Sequence, residues 1–176
     1  HYPHEFSGGM RQRALLAVAL ACEPRLLIAD EVTTALDVVT QYEVLLLLRR
    51  LVQERGLSII FVTHDLGVAA ALCDRIAVMY AGRVMEIGPA RQVLGAPRNP
   101  YTIALIETVP RFDVLSTRLR TIEGSTPSLF GPPPGCRFNP RCAMARAICH
   151  EQAPALHAVS GDHRSACHFW QEAHRS

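Results

Sequence analysis

The sequence predicts an α/β fold with a mainly parallel sheet and flanking helices, followed by a small loop-rich extension that carries cysteines. Three observations carry that prediction. Between Met10 and Ile87, short apolar runs alternate with stretches of strong helix formers, the pattern of crossover units. Acidic and histidine side chains follow two of those runs directly, at the carboxyl ends of strands, where open α/β sheets bind ligands. Composition then changes: ten of the twelve prolines lie from Pro89 onward, and four of the six cysteines fall in the last 41 residues. The chain is divided accordingly into residues 1–96 and residues 97–176.

Each element has a local reason. Ser7 is a good N-cap, and Met10 to Cys22 carries helix formers up to Glu23-Pro24, where proline stops the helix. Arg25 to Ala29 is an apolar run of strand length that ends in Asp30-Glu31. A second helix is expected from Val39 to Glu54, closed by Gly56. Ser58 to Thr63 is β-branched and apolar, a buried strand. Asp65 to Cys73 predicts a third helix, and Arg75–Tyr80 with Arg83–Ile87 two strands across the tight turn Ala81-Gly82. Beyond these, loops are expected, including the run Pro132-Pro133-Pro134.

Composition excludes some chemistry. All eighteen basic residues among the 176 are arginine, and there is no lysine. A Schiff-base lysine, a lysine general base and a complete G-x-x-x-x-G-K-[ST] phosphate loop are therefore absent from these residues. Formal net charge is +2 with scattered arginines, so no basic stripe suited to a nucleic acid backbone stands out. The longest apolar run, Ala14 to Cys22, has nine residues, against the roughly 20 of a membrane-spanning helix. The chain opens inside a motif-like string, His1 to Gly9, which suggests that an N-terminal portion precedes it.

Three constellations could carry chemistry. Asp30 and Glu31 follow an apolar strand, so one carboxylate could serve a Mg²⁺ shell and the other an attacking water in line with a γ-phosphate. The plainer alternative is a strand with an acidic turn. Ser7-Gly8-Gly9 opens a helix, where backbone N–H groups and the positive end of the helix dipole can face an anion; an ordinary serine cap is the alternative. His64, after Val62-Thr63, could donate to a γ-phosphate, or simply be satisfied by backbone at a strand end. Order and spacing favour the functional readings, because all three lie in one α/β unit.

Phe6-Ser7-Gly8-Gly9-Met10-Arg11-Gln12-Arg13 resembles the signature of ABC-type ATPases, and Leu26 to Glu31 their Walker B strand. Ala35-Leu36-Asp37 is similar to the D-loop and His64 to the switch histidine. Tyr2-Pro3-His4 and Thr33 to Val38, with Asn99-Pro100-Tyr101-Thr102 and Gly135 to Cys142, resemble the ATP-binding subunits of oligopeptide and dipeptide importers and their C-terminal extension. The resemblance implies that residues 1–96 are the C-terminal part of an ABC-type nucleotide-binding domain. It implies that Ser7, Gly8, Gly9 and Gln12 contact ATP held by a second ATPase subunit. Asp30 would hold Mg²⁺ through water, Glu31 would be the catalytic base, His64 would contact the γ-phosphate, and Asp37 would couple the two sites of the dimer. Implied partners are that second subunit, membrane permease subunits and, indirectly, a solute-binding protein, with no nucleic acid. The implied place is the cytoplasmic face of the inner membrane, as a peripheral ATPase that energises peptide import. Val32 stands where the family usually has proline, restoring an N–H and loosening the turn, and Glu5 stands where glutamine is frequent. The phosphate loop is expected upstream of His1, so these residues alone cannot close an ATP site.

Cys136, Cys142, Cys149 and Cys167 lack the C-x-x-C spacing of zinc ribbons. Two disulfides, a four-thiolate metal site or unrelated thiols are open. Reducing surroundings disfavour disulfides, and a small proline-rich segment with little core favours a metal staple. Soft thiolates suit zinc or an iron–sulfur cluster, and the family resemblance implies [4Fe-4S]. His150, His163 and His168 are possible substitute ligands. Cys22 and Cys73 are expected to be small buried hydrophobes. Two other functions compete: an ABC-type ATPase of DNA repair or chromosome maintenance, which would carry coiled-coil insertions and no cysteine-rich tail, and an inactive regulatory module.

Overall fold

The computed structural model describes residues 2–34, 36–109 and 121–174. It divides into two compact units, His1–Leu72 and Cys73–Ser176; the boundary expected between residues 96 and 97 falls inside the second.

In the first unit, helix α1 (Gly8–Leu20) begins at Ser7, whose side-chain oxygen accepts from Met10 N–H at 3.3 Å. It starts earlier than expected, because Ser7 caps the two glycines into the first turn, and stops at Leu20 before Glu23 (φ 48°) and Pro24. Strand β1 (Leu26–Asp30) pairs in parallel with β2 (Ser58–Val62), in register from Leu26↔Ser58 to Asp30↔Val62. Between them runs α2 (Val38–Arg55), N-capped by Asp37 and ended by Gly56 in the left-handed region (φ 62°). Helix α3 (Leu66–Leu72) follows β2. Leu16, Leu27, Val44, Leu48 and Leu57 form the core. Val44 and Leu48 lie four residues apart on one helical face, and Leu27 alternates with outward-facing Leu26 and Ile28. Val32 packs against this core, and the turn it occupies is closed by Thr34 N–H donating to the Glu31 carbonyl at 3.0 Å.

The second unit corrects the expectation of a mainly parallel sheet. Strands β3 (Arg75–Tyr80) and β4 (Arg83–Pro89) are antiparallel and belong to a four-stranded sheet of order β3-β4-β6-β5 in which every pairing is antiparallel. The two-residue turn is the cause. Ala81 (φ 46°) and Gly82 (φ 76°) both have positive φ, the type I′ geometry that reverses a chain into a hairpin. The β1–β2 pair is the parallel part.

The extension is also more ordered than loops. After α4 (Ala90–Gly95) and α5 (Pro100–Glu107), the chain forms α6 (Ala147–Glu151), β5 (His157–Ser160) and β6 (His163–Ser165), and β6 pairs with β4. Asn99 explains part of this. Its side-chain oxygen caps α5 through Tyr101 N–H at 3.0 Å, while its amide nitrogen donates to the Met85 carbonyl at 2.9 Å and the Ala166 carbonyl at 3.1 Å. Glu86 is fully buried: Oε1 accepts from Arg98 N–H at 2.6 Å and lies 2.7 Å from His163 Nε2. Tyr80, Tyr101 and Phe138 cluster with ring centroids 4.6 to 5.3 Å apart, and Arg141 donates to the Tyr80 hydroxyl at 3.1 Å. Among the described residues, no helix is long and apolar enough to cross a membrane.

Candidate functional site

The parallel pairing brings two loops together at the carboxyl ends of β1 and β2. Glu31 N–H still donates to the Val62 carbonyl at 3.0 Å, extending the ladder one residue past the strand. Glu31 then adopts φ 47°, a left-handed conformation that a non-glycine residue holds at a cost of about 1–3 kcal/mol. Its Oε1 lies 3.2 Å from His64 Nδ1, and its Oε2 accepts from the Thr34 hydroxyl at 3.3 Å. Beyond His64, Thr63 Oγ1 accepts from Asp65 N–H at 3.0 Å, and Asp65 Oδ1 accepts from Gly67 and Val68 N–H at 2.8 and 3.2 Å, fixing the entry into α3. Glu31 and His64 side chains remain 50% and 74% exposed, so a carboxylate and an imidazole face solvent side by side. Asp30, one residue earlier, is also exposed.

The other candidate residues lie elsewhere in this unit. Ser7, Gly8 and Gly9 form the cap and first turn of α1, with Ser7 and Gly8 exposed and Gln12 half-buried one turn on. No hydrogen bond joins Ser7 or Gln12 to Glu31 or His64 among the described residues. Asp37 caps α2: its Oδ1 accepts from Thr40 N–H at 2.9 Å and its Oδ2 from the Thr40 hydroxyl at 2.6 Å. The Thr40 hydroxyl, followed by its N–H, holds the Asp37 carboxyl below the usual carboxylate range. The capping role went unnoticed in the sequence, although Asp-x-x-Thr before a helical run is a readable signal. Ala35 lies outside the described residues. Glu5 accepts from Tyr2 N–H at 2.7 Å.

In the second unit, Cys136, Cys142, Cys149 and Cys167 line one small cavity together with Met85, Phe138 and Phe169. All four are free thiols, and Cys136 N–H donates to the Cys149 carbonyl at 2.8 Å. Burial pushes the Cys136 and Cys142 thiols up and that of Cys167 to about 11, with the neighbouring cysteines adding to each. The donors fit a soft metal in chemistry and share one cavity, but their placement does not complete a ligand set. Among the described residues, no group of three or more His, Cys, Asp or Glu side chains could hold a metal ion. The wall around them is largely apolar, with Met85, Phe138 and Phe169 among its residues. The suggested substitute ligands are otherwise engaged or outside: His163 is spent on Glu86, His168 Nε2 bonds the Gln152 carbonyl at 3.0 Å, and His150 is exposed. Cys22 is exposed just past α1, against expectation, because the helix ends before it; Cys73 is partly buried, and burial raises its thiol.

Two stretches of the chain match known families, and relatives match it along nearly its whole length. Residues 1–34 match the ABC transporter family, and residues 85–149 match the oligopeptide/dipeptide transporter C-terminal region. The oligopeptide transport ATP-binding protein of Salmonella typhimurium is 53% identical over 166 residues, 94% of this chain and 49% of that protein. The dipeptide transport ATP-binding protein of Bacillus subtilis is 46% identical over 175 residues, 99% of this chain and 52% of that protein. Among solved structures, an ABC transporter described as of the metal-chelate type, in an inward-facing conformation, is similar with TM-score 0.54 and 29% identity over 60% of this chain and 40% of that one. The chain thus spans about half the length of the curated relatives it matches. It belongs to the ABC-type ATP-binding proteins of oligopeptide and dipeptide transport.

Proposed function

We propose that these residues supply part of the ATP-hydrolysing site of a peptide-import ATPase. The observation that carries the reading is the Glu31–His64 contact, 3.2 Å between side chains 33 residues apart that only parallel pairing of β1 and β2 could bring together. Glu31 accepts a proton from a water and aims its oxygen at the γ-phosphorus, while the bond to the β–γ bridging oxygen breaks. With Nδ1–H directed at Glu31, His64 reaches the transferred phosphate through Nε2, as a donor when both ring nitrogens carry protons. Asp30 would hold Mg²⁺ through water, and the ion would neutralise charge developing on the phosphates. Ser7, Gly8, Gly9 and Gln12 face the ATP of a second ATPase subunit, using the N-terminal end of α1, and Asp37 links the two sites. The subunit works at the cytoplasmic face of the inner membrane on permease subunits, and a solute-binding protein delivers the peptide.

The finer assignment of the four thiols belongs to the same reading. Cys136, Cys142, Cys149 and Cys167 would hold a soft metal centre, an iron–sulfur cluster or zinc, once their thiols lose their protons and close on it; their convergence on one cavity supports this, although as placed they do not form a ligand set. Elemental analysis and visible absorbance of anaerobically purified protein test it, and protein free of both iron and zinc would overturn it.

The function itself is tested with the complete subunit. Phosphate release from MgATP and uptake of labelled peptides by cells with and without it are the measurements. Absent turnover overturns the reading, and turnover with unchanged uptake overturns peptide import.

A further inference from the structure

We infer that Thr40 is a positioning residue that sets the Ser7-Gly8-Gly9 turn and the Asp37 loop on one another, so that Gly9 is glycine because of Thr40. The inference rests on the reading of those two segments as parts of an ATP site. Gly9 has no left-handed φ, so backbone conformation does not call for glycine there. Space does. A Cβ at position 9 would lie 2.5 Å from Thr40 Cγ2, far inside the roughly 3.5–4.0 Å of an ordinary carbon contact.

The methyl cannot swing away at little cost. Thr40 Oγ1 donates to Asp37 Oδ2 at 2.6 Å, and Thr40 N–H donates to Asp37 Oδ1 at 2.9 Å. A β-branched side chain in a helix has few rotamers, and choosing the one that satisfies Asp37 fixes where Cγ2 points. One side chain therefore presents its hydroxyl to Asp37 and its methyl to the first turn of α1. Crowding at Gly9 turns Thr40 and breaks the bond to Asp37; movement of Asp37 releases the methyl and alters the room at Gly9.

The test compares three variants of the complete subunit: Gly9→Ala, Gly9→Ala with Thr40→Ser, and Gly9→Ala with Thr40→Val. Serine keeps the hydroxyl and removes Cγ2; valine keeps the methyl and removes the hydroxyl. Gly9→Ala is expected to lower kcat for MgATP by about 10- to 100-fold, the scale of an ångström's misplacement, and to lower the thermal midpoint. Serine at 40 should restore both and valine neither. Equal behaviour of the two double variants, or no effect of Gly9→Ala, overturns the inference. If Gly9→Ala alone does not fold, recovery of folded protein by serine and not by valine is the same result. Thermal rescue in a subunit that never turns over ATP upholds this contact and overturns the ATPase reading. Turnover by the unmodified subunit without rescue overturns this contact alone.

Discussion

Glu31→Gln separates the proposed chemical role from a structural one, because the two carry very different sizes. The contact it disturbs is exposed: Glu31 and His64 side chains are 50% and 74% accessible and 3.2 Å apart. At that distance two unit charges in water attract by about 1.3 kcal/mol, and measured exposed pairs contribute roughly 0.2–1 kcal/mol. Glutamine keeps the shape, keeps an oxygen for His64 or the Thr34 hydroxyl, and inherits the same left-handed backbone, so the strain at this position does not change. Loss of stability should therefore stay below about 1 kcal/mol. Loss of the proton acceptor in the reaction is much larger, about 10²–10⁴-fold in rate, or roughly 3–5 kcal/mol of barrier. The assay is phosphate release from MgATP by the complete subunit, beside a urea melt of the same preparations. The expected pair of results is a melt nearly superimposed on the unmodified protein and a turnover reduced by at least two orders of magnitude. Near-normal turnover would refute the role of Glu31. A large loss of stability would refute the exposed geometry from which the separation was worked.

Four further outcomes follow from the packing and the thiols. Leu48→Ala empties the fully buried centre of the first unit and should cost about 2–5 kcal/mol in denaturant unfolding. His163→Ala leaves the fully buried Glu86 carboxyl with Arg98 N–H as its remaining hydrogen-bond partner among the described residues, and should cost about 3–5 kcal/mol, read as a lower urea midpoint. In metal-free protein the Cys167 thiol is raised from 9.0 to about 11, so the folded state favours the neutral form. The unfolded chain then loses its proton first as pH rises, and the contribution of this thiol to stability should be intact below about pH 9 and be lost between about 9 and 11, which thermal melts across that range would follow. The same protein should alkylate slowly at Cys167 near neutral pH, because the thiolate is the reactive species.

How much of this was legible in the sequence depends on the range over which each feature is encoded. Ser7 as a cap, the stop at Glu23-Pro24, Gly56 ending α2 and the Ala81-Gly82 reversal are set by neighbours a few residues away, and these were readable. Glu31 and His64 were readable as candidates because each follows an apolar strand directly. Their contact was not readable, since it depends on the parallel register Asp30↔Val62. The second sheet was missed for a different reason. Strands β5 and β6 are His157–Ser160 and His163–Ser165, short and rich in polar residues, with no alternation to mark them. They exist because Ser165 and Arg164 meet Glu86 and Ile87, and because Asn99 holds the Met85 and Ala166 carbonyls together. Such a strand is made by its partners, and a single sequence carries no signal for that.

Gly9 marks the further limit. Its neighbours in sequence present it as a glycine beside a phosphate, whereas its neighbour in space is a threonine methyl contributed from the start of α2. Both demands can act on one residue, and they differ in what relieves them. A requirement set by an anion survives any change at Thr40; a requirement set by the methyl disappears when the methyl does. The serine and valine substitutions at Thr40 therefore distinguish which of the two keeps position 9 without a side chain, because the hydroxyl that serine retains still donates to the Asp37 carboxylate.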